Sequence, residues 1–311
     1  MAENKYRLVT RSDFDGLVCA VLLKELDLID DILFVHPKDM QDGTVDITDR
    51  DITTNLPYVA ACHMCFDHHE SEVKRAAGDC RRNQIIDPDA PSAARVVYNH
   101  FGGKTVFSDI SDEMMDAVDK ADSAQFSKGD ILRPRGWVLL NYLMDSRTGL
   151  GRFRDFTISN YNLMMQLIDY CRNHNIDEIL QLPDVKERSD LYTEQSVLFE
   201  GQLNRCATVH GNLVVLDLRN EDIIYAGNRF MIYAIFSQCN ISIHVIWGRQ
   251  KMNTVFAIGG SIVNRSSKTN IGELCLSYDG GGHHNAGTCQ IANEDAERVF
   301  GELVEKITSN G

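Results

Sequence analysis

Short apolar runs alternate with segments of helical periodicity along the first part of the chain. Strands are predicted at 6–10, 32–36, 44–48 and 60–66. Helices are predicted at 17–26, 91–101 and 112–121. This alternation is typical of a parallel sheet covered by helices. Since ligands bind outside the carboxyl ends of such strands, the residues that follow each strand are the first candidates for a site.

The pattern changes twice in the second half. Residues 153–205 have helical periodicity with few strand signals, and β-rich segments begin near 208. A length of 311 residues favours two domains over one. We therefore predict an α/β protein with two domains, an N-terminal parallel-sheet domain and a smaller C-terminal α/β domain with a mixed sheet. The predicted bounds are 1–185 for the first domain, 186–207 for a helical linker and 208–311 for the second domain.

The net charge of the chain bears on whether it binds long nucleic acid. The formal net charge is -14 and the pI is about 5.1, whereas a protein that tracks long nucleic acid usually presents a basic face. A long duplex is therefore not expected as a substrate. The sequence has no apolar run of about 18 residues, and its first residues lack the apolar core of a signal peptide. We expect a cytoplasmic protein with no membrane association, and its nine cysteines are expected to be reduced.

Ionisable residues follow three of the predicted strands. Asp13 and Asp15 come after the first, Asp49 after 44–48, and Asp67-His68-His69 directly after 60–66. Carboxylates with imidazoles suit Mn²⁺ or Mg²⁺, and such ions relieve the repulsion between crowded carboxylates. Mn²⁺ is the first choice and Mg²⁺ the alternative. Asp46 and Asp51 lie close to Asp49 in the sequence. Asp49 is preferred as the metal ligand of this segment because it directly follows the predicted strand, and Asp46 is the next candidate.

Motifs in both halves make the chain similar to the DHH phosphoesterase family. The N-terminal half carries Asp13-Phe-Asp15-Gly16, the Asp67-His68-His69 tripeptide and Lys120-Ala-Asp122-Ser-Ala-Gln-Phe126. The C-terminal half carries Arg265-Ser266 and Gly280-Gly281-Gly282-His283, which resemble the DHH-associated domain. The resemblance runs over nearly the whole chain and implies an active site in the cleft between the two domains.

The resemblance also implies residue roles. Asp13 would bind a first ion, Asp15, His68 and Asp122 a second, and Asp49 would bridge both. His69 would face the phosphate or the leaving group, with Asp67 supporting the histidines. The residues expected to hold substrate phosphate are Arg265, Ser266, Gly280, Gly281, Gly282 and His283. Many relatives carry a histidine where this chain has Val9 or Arg11, so the first ion site is in question and Arg11 is a candidate for phosphate binding.

The function implied is hydrolysis of a short nucleotide substrate, such as an oligoribonucleotide or a nucleotide phosphate, by metal-activated water. An exopolyphosphatase would use the same ions and anion-binding residues, and a nucleotide-binding protein without catalysis is a further alternative. Asp119 is an alternative to Asp122, although the residues that follow favour Asp122. His284 is open as a ligand or a spectator, and a homodimer is left open.

Overall fold

Eleven β-strands and thirteen α-helices follow one another in the part of the chain that the computed structural model describes, residues 5–76 and 81–311. The strands are β1 (Tyr6–Thr10), β2 (Ile29–Phe34), β3 (Asp51–Thr54), β4 (Met64–Asp67), β5 (Gln84–Ile86), β6 (Ala207–His210), β7 (Leu213–Asp217), β8 (Ile241–Trp247), β9 (Asn253–Gly260), β10 (Gly281–His283) and β11 (Ala286–Ala292). The helices are α1 (Phe14–Glu25), α2 (Pro37–Gln41), α3 (Glu70–Ala76), α4 (Ala93–His100), α5 (Asp112–Asp122), α6 (Lys128–Leu132), α7 (Gly136–Met144), α8 (Asn160–Asn173), α9 (Ile176–Gln181), α10 (Pro183–Cys206), α11 (Met231–Ile235), α12 (Ile271–Leu276) and α13 (Ala296–Asn310).

The first sheet has five parallel strands in the order β2-β1-β3-β4-β5, which confirms the predicted parallel sheet. Helix α1 is buried along almost its whole length and contacts α4 and α8. Its apolar residues explain this burial, since a helix that is apolar all round belongs in a core. The carboxyl ends of β1, β3 and β4 therefore lie side by side at one edge of the sheet.

The predicted strand at 44–48 is wrong, because the strand in this region is β3, Asp51–Thr54. All four of its residues are buried although three are polar. Two of these three polar side chains have partners: Thr54 Oγ1 donates to Thr10 Oγ1 at 2.7 Å, and Asp51 forms an ion pair with Arg7. Buried polar groups are tolerated when they are hydrogen-bonded, so a strand can form where hydropathy does not indicate one.

The second sheet has six strands in the order β10-β11-β9-β8-β7-β6. Strands β7 and β8 pair in parallel and the other neighbours are antiparallel, which confirms the predicted mixed sheet. Apolar residues of this sheet and of helices α12 and α13 form one buried cluster that includes Ile243, Phe256 and Leu303. This cluster is the core of the second half of the chain.

The described residues divide into two units. The first takes in the residues up to Gln125 together with 135–146 and 151–189, and the second takes in 126–134, 147–150 and 190–311. Helix α10 contributes residues to both. The bounds 1–185, 186–207 and 208–311 stay a prediction. In the described part of the chain, no helix combines the length and apolarity needed to span a membrane.

Candidate metal centre

Asp15 is a buried carboxylate in the first turn of α1, with only 3% of its surface exposed. Its oxygens accept hydrogen bonds from the backbone N–H groups of Ala93 at 3.2 Å and Ala94 at 2.8 Å, at the start of α4. Asn55 Nδ2 donates to the same carboxylate at 2.7 Å. These donors compensate for the loss of water around the carboxylate, and they fix its position at the carboxyl edge of the sheet.

Burial raises the pKa of Asp15 well above its ordinary value, and the nearby charges of Asp122 and Asp13 raise it further. The N–H of Ala94 and the charge of His68 oppose this rise. Crowded carboxylates with a raised pKa mark a place where a cation is needed. The electrostatics of Asp15 therefore favour a positive ion at this edge of the sheet.

His68 faces a carboxylate with one nitrogen and a carbonyl with the other. Nδ1 lies 3.1 Å from the carbonyl oxygen of Ala90, and Nε2 lies 2.8 Å from Asp122 Oδ2. The carbonyl can only accept, so Nδ1 carries the proton, and in a neutral ring the lone pair of Nε2 points at Asp122. Two lone pairs this close require a positive charge between them, either a proton or a metal ion.

The proton is held firmly when it is present. Burial disfavours the charged ring, but the hydrogen bond to Asp122 and the charges of Asp122 and Asp15 outweigh it and raise the pKa of His68 to about 9. A divalent cation can replace that proton, because metal binding takes the deprotonated form of each ligand.

Asp15, His68 and Asp122 offer ligand atoms that all lie within 4.8 Å of one another. Oxygen and imidazole ligands at about 2.1 Å from a single ion are separated by about 3–4 Å, so a small closing movement brings the three onto one cation. The donor set suits Mn²⁺ or Mg²⁺ better than a thiolate-preferring ion. These residues are three of the five predicted metal ligands.

Asp67, the last residue of β4, is 1% exposed and holds His69 in place. Its Oδ1 accepts from the backbone N–H groups of His68 at 2.8 Å and His69 at 3.3 Å, and lies 2.7 Å from His69 Nδ1. The side chain of His69 is 46% exposed. The carboxylate thus orients the ring with Nδ1 inward, an arrangement that leaves Nε2 for a reactant.

Asp13 caps helix α1, with Oδ1 accepting from the N–H of Gly16 at 3.0 Å. Its Oδ2 lies 3.1 Å from Nε of Arg11. A side chain at Gly16 would meet the carbonyl oxygen of Arg11 at 2.1 Å, so glycine is needed for the turn that follows Asp15. Asp13 therefore lies near the carboxyl edge of the sheet, where Asp15, His68 and Asp122 meet, but its carboxylate oxygens already interact with protein donors.

Asp49 does not lie at the carboxyl edge. It is exposed, in the turn that precedes β3, and the four-residue strand of about 13 Å separates the two edges. Asp46 lies on the same side as Asp49, since its carbonyl accepts from Arg7 at 2.8 Å. The preference for Asp49 depends on a strand at 44–48, and residues 44–48 do not form a strand.

Asn55 is the residue that directly follows β3, and the sequence analysis missed it. It is 2% exposed, and its Oδ1 is buried without a hydrogen-bond partner. Its φ of 55° is in the left-handed region, which asparagine tolerates better than most residues. The signal in the sequence was the asparagine between the β-branched segment Ile52-Thr53-Thr54 and the turn at Leu56-Pro57.

Asp119 is held by other partners. It accepts from Ser92 Oγ at 2.7 Å and forms an ion pair with Arg95, so it ties α5 to the start of α4. Asp122, one turn later on α5, is the carboxylate that meets His68.

The predicted phosphate-binding residues of the second half lie in the second unit. Gly281, Gly282 and His283 form β10, which is exposed and pairs with β11. A side chain at Gly282 would meet the carbonyl oxygen of Ala286 at 2.2 Å, and its φ is +159°. At Gly280 it would meet Thr288 O at 2.3 Å, whereas Gly281 faces open space. Two of these glycines are therefore required by chain packing.

Arg265 and Ser266 are exposed on the loop that follows β9. Arg265 Nε donates to Ile262 O at 3.2 Å, and Ser266 Oγ accepts from Asn240 Nδ2 at 3.1 Å. His283 is exposed, and its neighbour His284 places Nδ1 3.1 Å from Asn285 Oδ1. Exposure leaves Arg265 and His283 accessible to an anion, but their substrate contacts stay a prediction.

Comparison with known proteins defines the class. No protein-family model matches the chain, and no curated protein matches it. Solved structures do match, and with them the fold and the acidic site identify the chain: it belongs to the DHH phosphoesterase family of metal-dependent phosphoric ester hydrolases.

The relative that shows this is the pGpG-specific phosphodiesterase PggH from Vibrio cholerae. The two chains are 64% identical, the match covers 99% of this chain and 100% of that one, and the TM-score is 0.92. CDC45 from Entamoeba histolytica matches over 98% of this chain and 95% of its own, with 10% identity and a TM-score of 0.52. That second likeness concerns the fold alone.

Proposed function

We propose that this chain hydrolyses a phosphodiester bond in a short guanine dinucleotide of the pGpG type, with a divalent cation bound by Asp15, His68 and Asp122. The observation that carries the proposal is this group of ligand atoms within 4.8 Å of one another. The 64% identity to a pGpG-specific phosphodiesterase supports the choice of substrate. Hydrolysis of pGpG adds one water and yields two molecules of GMP.

The chemistry that a divalent cation supplies at this group is neutralisation of charge at the phosphate and activation of water. Mn²⁺ is our first choice and Mg²⁺ the alternative, since both accept carboxylate and imidazole ligands. Arg11, one residue beyond β1, is suited to donate to a phosphate oxygen, because a guanidinium keeps its charge at any working pH.

His69 is assigned to the leaving group. Asp67 fixes its Nδ1 at 2.7 Å, and the exposed ring can deliver a proton from Nε2 to the departing oxygen. In the second unit, Arg265 and His283 are assigned to phosphate binding through charge-assisted hydrogen bonds. The Gly280–Gly282 segment is assigned to close approach of backbone N–H groups to an anion.

The test is turnover of pGpG by the purified protein with added Mn²⁺ or Mg²⁺. The comparison substrates are di- to pentaribonucleotides, 3′-phosphoadenosine 5′-phosphate, cyclic dinucleotides and polyphosphate. We expect GMP from pGpG, no turnover in His68→Ala or Asp15→Asn, and retained turnover in Asp49→Asn. Cleavage of polyphosphate alone would favour an exopolyphosphatase, and binding of pGpG without turnover would favour a non-catalytic nucleotide-binding protein.

A further inference from the structure

We infer that the metal centre takes one divalent cation per chain, and that the guanidinium of Arg11 occupies the position beside Asp13 that a second cation would need. The inference rests on the proposed function of the same site and adds to it the number of ions. It replaces the two-ion arrangement expected from the resemblance.

Asp13 is the first reason. Both of its carboxylate oxygens already lie beside protein donors, Oδ1 at 3.0 Å from the N–H of Gly16 and Oδ2 at 3.1 Å from Nε of Arg11. A cation that bound Asp13 would have to displace the guanidinium, whose positive charge would repel it at short range. The Arg11–Asp13 pair is about one quarter to one third exposed, so water screens that repulsion only in part.

Asn55 is the second reason. It occupies the carboxyl end of the strand between β1 and β4, from which a side chain can reach both neighbours. Two cations held close together repel each other, and a carboxylate that bridges them offsets this repulsion with its negative charge. The amide of Asn55 offers one oxygen and no charge, and its nitrogen donates to Asp15 at 2.7 Å. It therefore lacks the charge that would hold two cations together.

The local charge agrees with one ion. The carboxylates of Asp13, Asp15 and Asp122 and the guanidinium of Arg11 carry a net charge of minus two, which a single divalent cation neutralises. A second ion would leave an excess positive charge in a partly buried site. Asp67 is outside this count, since its carboxylate is taken up by the His69 ring and by backbone N–H groups.

The experiment is a titration of the metal-free full chain with Mn²⁺. Binding is monitored by isothermal titration calorimetry and by electron paramagnetic resonance. We expect one ion per chain and the spectrum of isolated Mn²⁺. The double variant Arg11→His with Asn55→Asp supplies an imidazole and a carboxylate in place of the guanidinium and the amide. In that variant we expect two ions per chain and the spectrum of an exchange-coupled pair, as ions about 3.5–4 Å apart give.

Matched variants separate the outcomes. Arg11→Met removes the guanidinium without adding an oxygen or nitrogen ligand, and the stoichiometry of this variant should stay at one ion per chain. Two ions in the unaltered chain would overturn the inference and leave the proposed function standing. A double variant that folds, by circular dichroism, and still binds one ion would overturn the roles of Arg11 and Asn55. Binding of one ion that survives both Asp15→Asn and His68→Ala would instead overturn the site on which the proposed function rests.

Discussion

A replacement of Asp51 tests whether this aspartate of β3 stabilises the fold through its ion pair with Arg7. Its side chain is 1% exposed, and its two oxygens accept from Arg7, from Nε at 2.6 Å and from Nη2 at 3.0 Å. The N–H of Thr48 adds a third bond at 2.7 Å. Although burial opposes the negative charge, the hydrogen bonds and charge of Arg7 and the N–H of Thr48 lower the pKa of this carboxyl below its ordinary value.

Replacement of Asp51 by asparagine keeps the shape and removes the charge. Arg7 is left half-buried without its charged partner, and one of the two acceptor oxygens becomes an amide donor that faces Arg7. Breaking a fully buried ion pair costs about 3–5 kcal/mol, and partial exposure of Arg7 reduces this to about 2–3 kcal/mol for Asp51→Asn. Because the folded pKa is lowered, the stabilisation is present above the unfolded pKa of about 3.9 and is lost as the pH falls through the folded value.

The assay uses the two tryptophans of the chain, Trp137 in the first unit and Trp247 in the second. In a Trp247→Phe background, the fluorescence of Trp137 reports urea unfolding of the first unit alone. Asp51→Asn is compared with Asp49→Asn in this background at pH 7. The exposed Asp49 should change the free energy of unfolding by less than about 0.5 kcal/mol.

Two results would refute this reasoning. One is a cost for Asp51→Asn no larger than that for Asp49→Asn, which would mean that the ion pair with Arg7 does not stabilise the first unit. The other is loss of Mn²⁺ affinity in Asp49→Asn with unchanged stability, which would return Asp49 to the metal site.

Three further predictions concern the second unit. Gly282→Ala should lower the free energy of unfolding by about 2–4 kcal/mol, because the added Cβ would clash with a carbonyl oxygen 2.2 Å away. Gly281→Ala, which faces open space, should leave the free energy of unfolding nearly unchanged, and thermal unfolding of the two variants tests this difference. Burial lowers the pKa of His244 to about 4. The free energy of unfolding should therefore fall by about 2 kcal/mol between pH 7 and pH 5, because His244 binds a proton in the unfolded chain but not in the folded chain. An equal fall in His244→Leu would contradict this prediction. Leu303→Ala should cost about 2–5 kcal/mol in urea unfolding, and an equal cost for the exposed Leu276→Ala would disprove the core assignment.

The regular elements could be predicted where hydropathy and burial agree. The strand β1 was predicted with its observed bounds, since it has a run of apolar or β-branched residues before a turn signal. The strand β3 was missed because its buried positions are polar. The alternation of apolar and polar residues at 44–48 predicted a strand that does not form. The strand β3 depends instead on tertiary contacts that sequence patterns do not indicate, the hydrogen bond between Thr10 and Thr54 and the Arg7–Asp51 ion pair.

The residues of the candidate metal centre could be predicted from the sequence only in part. Motifs indicated Asp15, His68 and Asp122, and the structure brings them together. Asn55 could not be chosen, because its importance comes from a position at the end of a strand whose bounds were misplaced. The engagement of Asp13 by Arg11 also depends on side-chain geometry that spacing along the chain does not fix.

The parallel arrangement of β1, β3 and β4 has an evolutionary consequence. Each contributes its site residue from the position at or just beyond its carboxyl end, while the strand pairing is set by residues further back, such as Leu8 with Ile52 and Ile52 with Met64. An asparagine codon becomes an aspartate codon through one base change, and some arginine codons become histidine codons in the same way. A second cation site could therefore be gained or lost through two point mutations that leave this strand pairing in place.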